Sequence, residues 1–98
     1  MTKMLEIARS APEIISVNAW KDRQYLRFFG HNPKMAGDRN IKCWIKGNTM
    51  TLESYRGLAS DGMLAAIAKF GERLIAAGAT KTGDLVRGDS AVVYTIPE

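Results

Sequence analysis

Cysteine, histidine and long apolar runs are what this chain has least of. A single cysteine, Cys43, leaves no partner for an internal disulfide, and with the one histidine, His31, it is too few for a structural zinc site. No stretch approaches about 18 consecutive apolar residues, the length that marks a membrane-spanning helix. The opening residues, MTKMLEIARSAPEII, lack the apolar run of a signal peptide. These absences lead to the expectation of a cytoplasmic protein in a reducing compartment, with no membrane association, no metal and no cofactor. Catalytic signatures are missing too. No carboxylate pair is spaced for acid–base work. The glycines of FGERLIAAGATKTGD lack the Gly-Lys-Ser/Thr ending and the preceding strand of a phosphate-binding loop. His31 with Cys43 is formally a base and a nucleophile, but Cys43 falls among expected core residues, where a thiol is inert. The chain is therefore expected to work by binding and not as an enzyme.

What is present supports one ordinary core. Of 98 residues, 46% are hydrophobic and 24% charged, a balance that excludes disorder and fits a single domain over residues 1–98. The net charge is +4, and it is not spread evenly. Residues 21–46 hold seven Lys/Arg against Asp22 and Asp38, a net +5, whereas residues 1–20 are neutral and residues 47–98 carry −1. Positive charge gathered in one quarter of a chain attracts phosphates or acidic partners far more than the same charge scattered.

Periodicity predicts an α+β fold: a mostly antiparallel sheet of four or more strands, one central helix packed on one face, and a short N-terminal helix. The short helix covers Thr2–Ser10 and stops before Pro12. IISVNAW (14–20) and RQYLRFFG (23–30) read as strands joined at Lys21-Asp22. GHNPKMAGDRN (30–40) reads as a long connection. IKCWIK and TMTLESY form a hairpin around Gly47-Asn48, with a loop of about three residues. From Ser60 the period changes: Met63, Ile67, Phe70 and Leu74 make a helical stripe that runs to Gly78. The tail DLVRGDSAVVYTIPE predicts a last hairpin or strand, turning at Gly88-Asp89.

Strand alternation sorts side chains onto two faces. The expected core face holds Ile15, Val17, Ala19, Leu26, Phe28, Ile41, Cys43, Ile45, Met50 and Leu52. The opposite face collects Trp20, Arg23, Tyr25, Arg27, Phe29, Lys42, Trp44, Lys46, Thr51, Glu53 and Tyr55. Aromatics interleaved with cations are the composition of single-stranded nucleic-acid sites, where rings stack on bases and cations follow phosphates. Lys34 and Arg39, in the adjoining loop, would add phosphate contacts. Other readings of the same face stand beside this one. Aromatics and Arg stems also serve cross-strand packing, and the first helix or the last hairpin could cover them. Trp, Tyr and Arg are equally the anchors of protein interfaces.

The order of helix, strands and helix resembles double-stranded-RNA-binding domains, although their Lys-rich start of the last helix is here SDGMLAAIAKF. The hairpin WIKGNTMTLESY leading into that helix is similar to sheet-reading DNA-binding domains of plant regulators and phage integrase arms. In size, charge and lack of a catalytic constellation, the chain resembles accessory proteins of phages and mobile elements. That resemblance implies nucleic acid or a nucleoprotein complex as partner. Its alternative is a stoichiometric inhibitor or adaptor that meets an acidic surface on a host protein complex, of anti-defence or anti-recombination type. A sheet edge or the aromatic face also offers a homodimer surface.

Overall fold

The computed structural model describes residues 2–55, 59–85 and 90–97. Three helices, α1 (Lys3–Ser10), α2 (Ala36–Arg39) and α3 (Asp61–Ala76), accompany six strands. These are β1 (Ile14–Trp20), β2 (Arg23–Phe28), β3 (Ile41–Lys46), β4 (Thr49–Ser54), β5 (Thr80–Asp84) and β6 (Ser90–Thr95). They form one antiparallel sheet in the order β1-β2-β3-β4-β6-β5. The fold is α+β, as the periodicities require. None of the helices among the described residues is long and apolar enough to cross a membrane.

Each long helix starts and stops for local reasons. The Thr2 hydroxyl accepts from the Leu5 amide at 3.2 Å and caps α1. The Ser60 hydroxyl accepts from the Met63 amide at 3.4 Å and does the same for α3. At the other end of α3 the Ala79 amide bonds the Leu74 carbonyl at 2.9 Å, and that of Gly78 bonds Ile75 at 3.0 Å. With Gly78 at φ +98°, these two bonds make a Schellman stop. Met63, Ala66, Ile67, Phe70, Gly71 and Leu74 line the buried side of α3, and Met4 with Ala8 that of α1. Both stripes join Leu26, Phe28, Cys43, Ile45, Met50, Leu52, Val92 and Tyr94 in one core. Both helices therefore cover the same face of the sheet. Phe28 and Phe70 meet edge to face at its centre, 5.9 Å apart. Arg73 of α3 grips the buried Glu13 carboxylate through Nε, at 2.8 and 2.9 Å, and fixes the chain entering β1. That hydrogen bond holds the Glu13 pKa below its ordinary value, although burial opposes it.

Several local expectations change. Ile15 was assigned to the core face but is 48% exposed, while Ile14 is buried. The β1–β2 register shifts between Ile14↔Phe28 and Ser16↔Arg27, so Ile15 is the extra residue of a β-bulge. Beyond the bulge Val17 and Ala19 return to the expected side, with Ala19 exposed at the hairpin end. The β3–β4 loop has two residues and not three, because Lys46 pairs with Thr49 across Gly47-Asn48. A one-turn helix, α2, lies inside the loop of residues 30–40. Strand β5, TKTGD, has no apolar residue and is exposed throughout; it exists because β6 offers it an edge. The expected turn at Gly88-Asp89 lies outside the described residues.

Candidate nucleic-acid interface

Pairing fixes what stands beside what on the outer face. One row runs straight across five strands: Asn18, Tyr25, Trp44, Thr51 and Val93. Trp44 and Tyr25 are cross-strand neighbours, with ring centroids 6.3 Å apart and planes tilted by 51°. In the flanking rows Trp20 pairs with Arg23, Lys46 with Thr49 and Lys42 with Glu53. The two longer helices, α1 and α3, lie on the other face, and α2 reaches only the cleft at one end of this one, through Arg39. Trp20 is 61% exposed, at the tip of the first hairpin, and Phe29 and Tyr55 are exposed too. Trp44 and Tyr25 are half-buried, held by neighbours in the plane of the sheet.

The cations divide into two groups. Around the hairpin tip they are already engaged. The Arg23 guanidinium lies 5.0 Å from the Trp44 ring centroid and 3.3 Å from an Asp22 oxygen. The Lys46 ammonium is 2.9 Å from the other Asp22 oxygen. The Lys46 and Arg23 hydrogen bonds pull the Asp22 pKa below its ordinary value, so the carboxylate stays ionised and offsets both charges locally. Lys21 stands 5.9 Å from the Trp20 ring. Toward the other end of the face, Arg27, Lys34, Arg39 and Lys42 make no ion pair with a described residue. Lys42 lies 5.7 Å from the Tyr55 ring, whose hydroxyl donates to Glu53.

Three of these cations, Arg27, Arg39 and Lys42, border a gap in the sheet. The β2–β3 ladder contains only Gln24↔Ile45 and Tyr25↔Trp44, after which the strands part. A cavity of about 490 Å³ opens there, with Arg27, His31, Arg39 and Lys42 at its polar side and Phe28, Cys43 and Met63 among its apolar lining. His31 and Arg39 reach it from the loop between β2 and β3. Lys34 is on the same loop, exposed and away from the cavity. Cys43 contributes no chemistry, because burial pushes its thiol pKa far above the ordinary range and leaves it protonated.

The loop holds its cations in place through Asp38, a residue sequence reading did not single out. Asp38 is wholly buried. Its carboxylate accepts from the Asn32 amide at 2.7 Å, and from the Ser60 amide and the Ser60 hydroxyl at 2.6 Å each. One side chain thus ties the start of the loop, its one-turn helix and the cap of α3 together. Burial pushes the Asp38 pKa up, but the Ser60 and Asn32 donors and nearby His31 outweigh it, and the net shift is downward. The guanidinium of Arg39, the next residue, donates to the Pro33 carbonyl at 3.0 Å across the loop. No spacing in the sequence signals this: Asp38 and Ser60 are 22 positions apart.

The site residues expected from the sequence therefore fall into three places, with Lys34 apart from all of them, exposed on the β2–β3 loop. Trp44 and Tyr25 form a central pair, and Trp20, Arg23 and Lys46 cluster with Asp22 at the tip. Arg27, Arg39 and Lys42 meet at the cleft, joined by His31, which lies in the connection of residues 30–40 and was not among the expected site residues. No protein-family model, no curated protein and no solved structure matches this chain.

Proposed function

We propose that this protein acts by binding nucleic acid, or a nucleoprotein complex that displays it, through the outer face of its sheet. The observation that carries the reading is the Tyr25–Trp44 pair at the centre of the outer face, with Arg27 and Lys42, which make no ion pair with a described residue, beside it. Two rings on adjacent strands suit successive unstacked bases, and cations next to them suit the phosphates between. Single strands fit better than duplex, because stacking on Tyr25 and Trp44 needs bases freed from their own stack. An accessory protein of a phage or mobile element is the kind of role this chemistry serves.

Anisotropy of labelled oligonucleotides at roughly 50 and 200 mM salt tests it, because phosphate contacts weaken steeply with salt. Binding should favour single strands, and Trp44→Ala should weaken it about tenfold or more, in line with the value of one stacked base. Trp44→Leu keeps apolar bulk without a flat ring, so it separates loss of stacking from loss of fold. Circular dichroism of both variants completes the comparison. Equal binding by folded Trp44→Leu and the parent protein would remove stacking from the mechanism.

A protein partner is favoured by one feature, the Asp22 carboxylate that offsets Arg23 and Lys46 beside exposed Trp20. A stoichiometric inhibitor or adaptor docking there would place Trp20 in a pocket of its target. Truncating Trp20 would then abolish binding while added salt changed it little.

A further inference from the structure

The cleft between β2 and β3 is more than the end of the stacking face. An antiparallel pair of six-residue strands ordinarily continues its ladder, yet this one stops after two pairs and leaves the facing edges of Leu26–Phe28 and Ile41–Cys43 without a ladder partner across the gap. The gap is roomy. About 490 Å³ lies within the range of small-molecule sites and exceeds the volume of a phosphate group alone. It is open to solvent on one side and floored by core residues, since Phe28, Cys43 and Met63 in its lining are 1%, 3% and 3% exposed. No carboxylate of a described residue lines it, and Arg27, Arg39 and Lys42 bring three positive charges that make no ion pair with a described acid, although Glu53 is the cross-strand neighbour of Lys42 and Asp38 adjoins Arg39.

We propose that this cleft is a phosphate-monoester site, which seats the terminal phosphate of a strand whose neighbouring bases lie on Tyr25 and Trp44. The inference rests on the binding reading above for the strand, and on the cleft alone for the phosphate. Two features select a monoester over an internal diester. A cavity closed at its base admits a chain end, whereas an internal phosphate must leave by the way it entered. A monoester also carries close to two negative charges near neutral pH, against one for a diester, and so matches three cations better. Arg27 and Arg39 offer planar, forked donors suited to phosphate oxygens. Lys42 adds a mobile point charge. The apolar lining and Tyr25, which also borders the cavity, leave room for part of the attached nucleoside. The same chemistry can come from a free nucleoside monophosphate, and the test separates the two sources.

The experiment compares one short single strand carrying a 5′-phosphate, a 3′-phosphate or only hydroxyl ends, by calorimetry at fixed salt. Adenosine 5′-monophosphate and adenosine form the second arm. The expected result is that one terminal phosphate tightens strand binding by about tenfold or more over the hydroxyl-ended strand, the scale of charge-assisted hydrogen bonds. Arg27→Gln combined with Arg39→Gln should bring that ratio close to one. Both side chains are exposed, so the doubly substituted protein is expected to fold, and circular dichroism checks it. Trp44→Ala should weaken all strands while leaving the ratio intact. Strands that bind equally with or without a terminal phosphate, together with equal binding of nucleotide and nucleoside, would overturn the cleft site and leave the stacking face standing. Binding of the nucleoside monophosphate but of no strand would keep the cleft and overturn the stacking face. No binding in either arm would overturn both.

Discussion

Gly30→Ala is expected to unfold the protein or to lower its stability by about 3 kcal/mol or more, the sum of two independent costs. The first is conformational. Gly30 has φ +83°, a region that residues with a Cβ rarely enter. The second is steric: an added Cβ would stand 2.5 Å from the Gly62 carbonyl carbon and 2.8 Å from the Met63 nitrogen. Those are backbone atoms of the first turn of α3, and they cannot rotate away as a side chain would. The Ser60 hydroxyl that caps α3 and donates to Asp38 also lies 3.2 Å from the Gly30 carbonyl, so the end of β2 runs against the start of α3. Gly47→Ala is the control. Gly47 also has positive φ, +62°, but nothing lies within 4 Å of its added Cβ. It should cost only about 1 kcal/mol. Urea denaturation followed by circular dichroism measures both, and equal losses at the two positions would show that the Gly30–Gly62 contact does not matter.

Asp38→Ala is the second large effect, expected at about 3 kcal/mol of stability. Removing the carboxylate leaves the Asn32 and Ser60 amides and the Ser60 hydroxyl without their acceptor in a buried place. Each buried donor so orphaned costs about 1–3 kcal/mol, reduced where water can enter the vacated space. The same residue makes stability depend on acid. Its pKa in the folded protein is depressed below the ordinary 3.8, so the folded state holds its proton less tightly than the unfolded chain does. The resulting stability is complete above 3.8 and is lost as pH falls through the lower folded value. Glu13, whose pKa is lowered chiefly by Arg73, adds a change of the same sign below its ordinary 4.5. Urea midpoints measured from roughly pH 6 to roughly pH 2 should therefore fall steeply at the acid end. Asp38→Asn should begin lower and fall less. A parallel acid limb in that variant would mean the carboxylate is not the group being titrated. The same bond network holds the loop that brings His31 and Arg39 to the cleft.

Much of this was legible in the sequence, for identifiable reasons. The stripe Met63, Ile67, Phe70 and Leu74 has no other use than burial, and Ser60 and Gly78 bracket it with a cap and a stop. IKCWIK alternates without a flaw, so Trp44 had to stand beside Lys42 and Lys46 and away from Cys43. The charge concentrated in residues 21–46 pointed to one face. What stayed hidden depends on contacts that local pattern does not encode. Ile14 and Ile15 are chemically the same, and only the bulge opposite Arg27 and Phe28 decides which one turns inward. TKTGD has no strand signal of its own and is drawn into the sheet by β6. Asp38 looked like one acid in a polar loop until the fold brought Ser60 onto it. The cleft was hidden for the same reason, since it exists only where the β2–β3 ladder ends. With it came the grouping of Arg27, Arg39 and Lys42, which the sequence had placed on the outer face and its adjoining loop but not around one cavity.

The slope of log binding constant against log salt for an unphosphorylated single strand is the measurement that bears most directly on the outer face. About four phosphates met by Arg27, Lys34, Arg39 and Lys42 give a slope near −3, and Lys42→Gln should reduce its size by about 0.7. Trp44→Ala should lower the binding constant at every salt concentration without changing the slope. A flat salt dependence, or a folded Trp44→Ala protein that binds as tightly as its parent, would contradict the assignment of this face to nucleic acid.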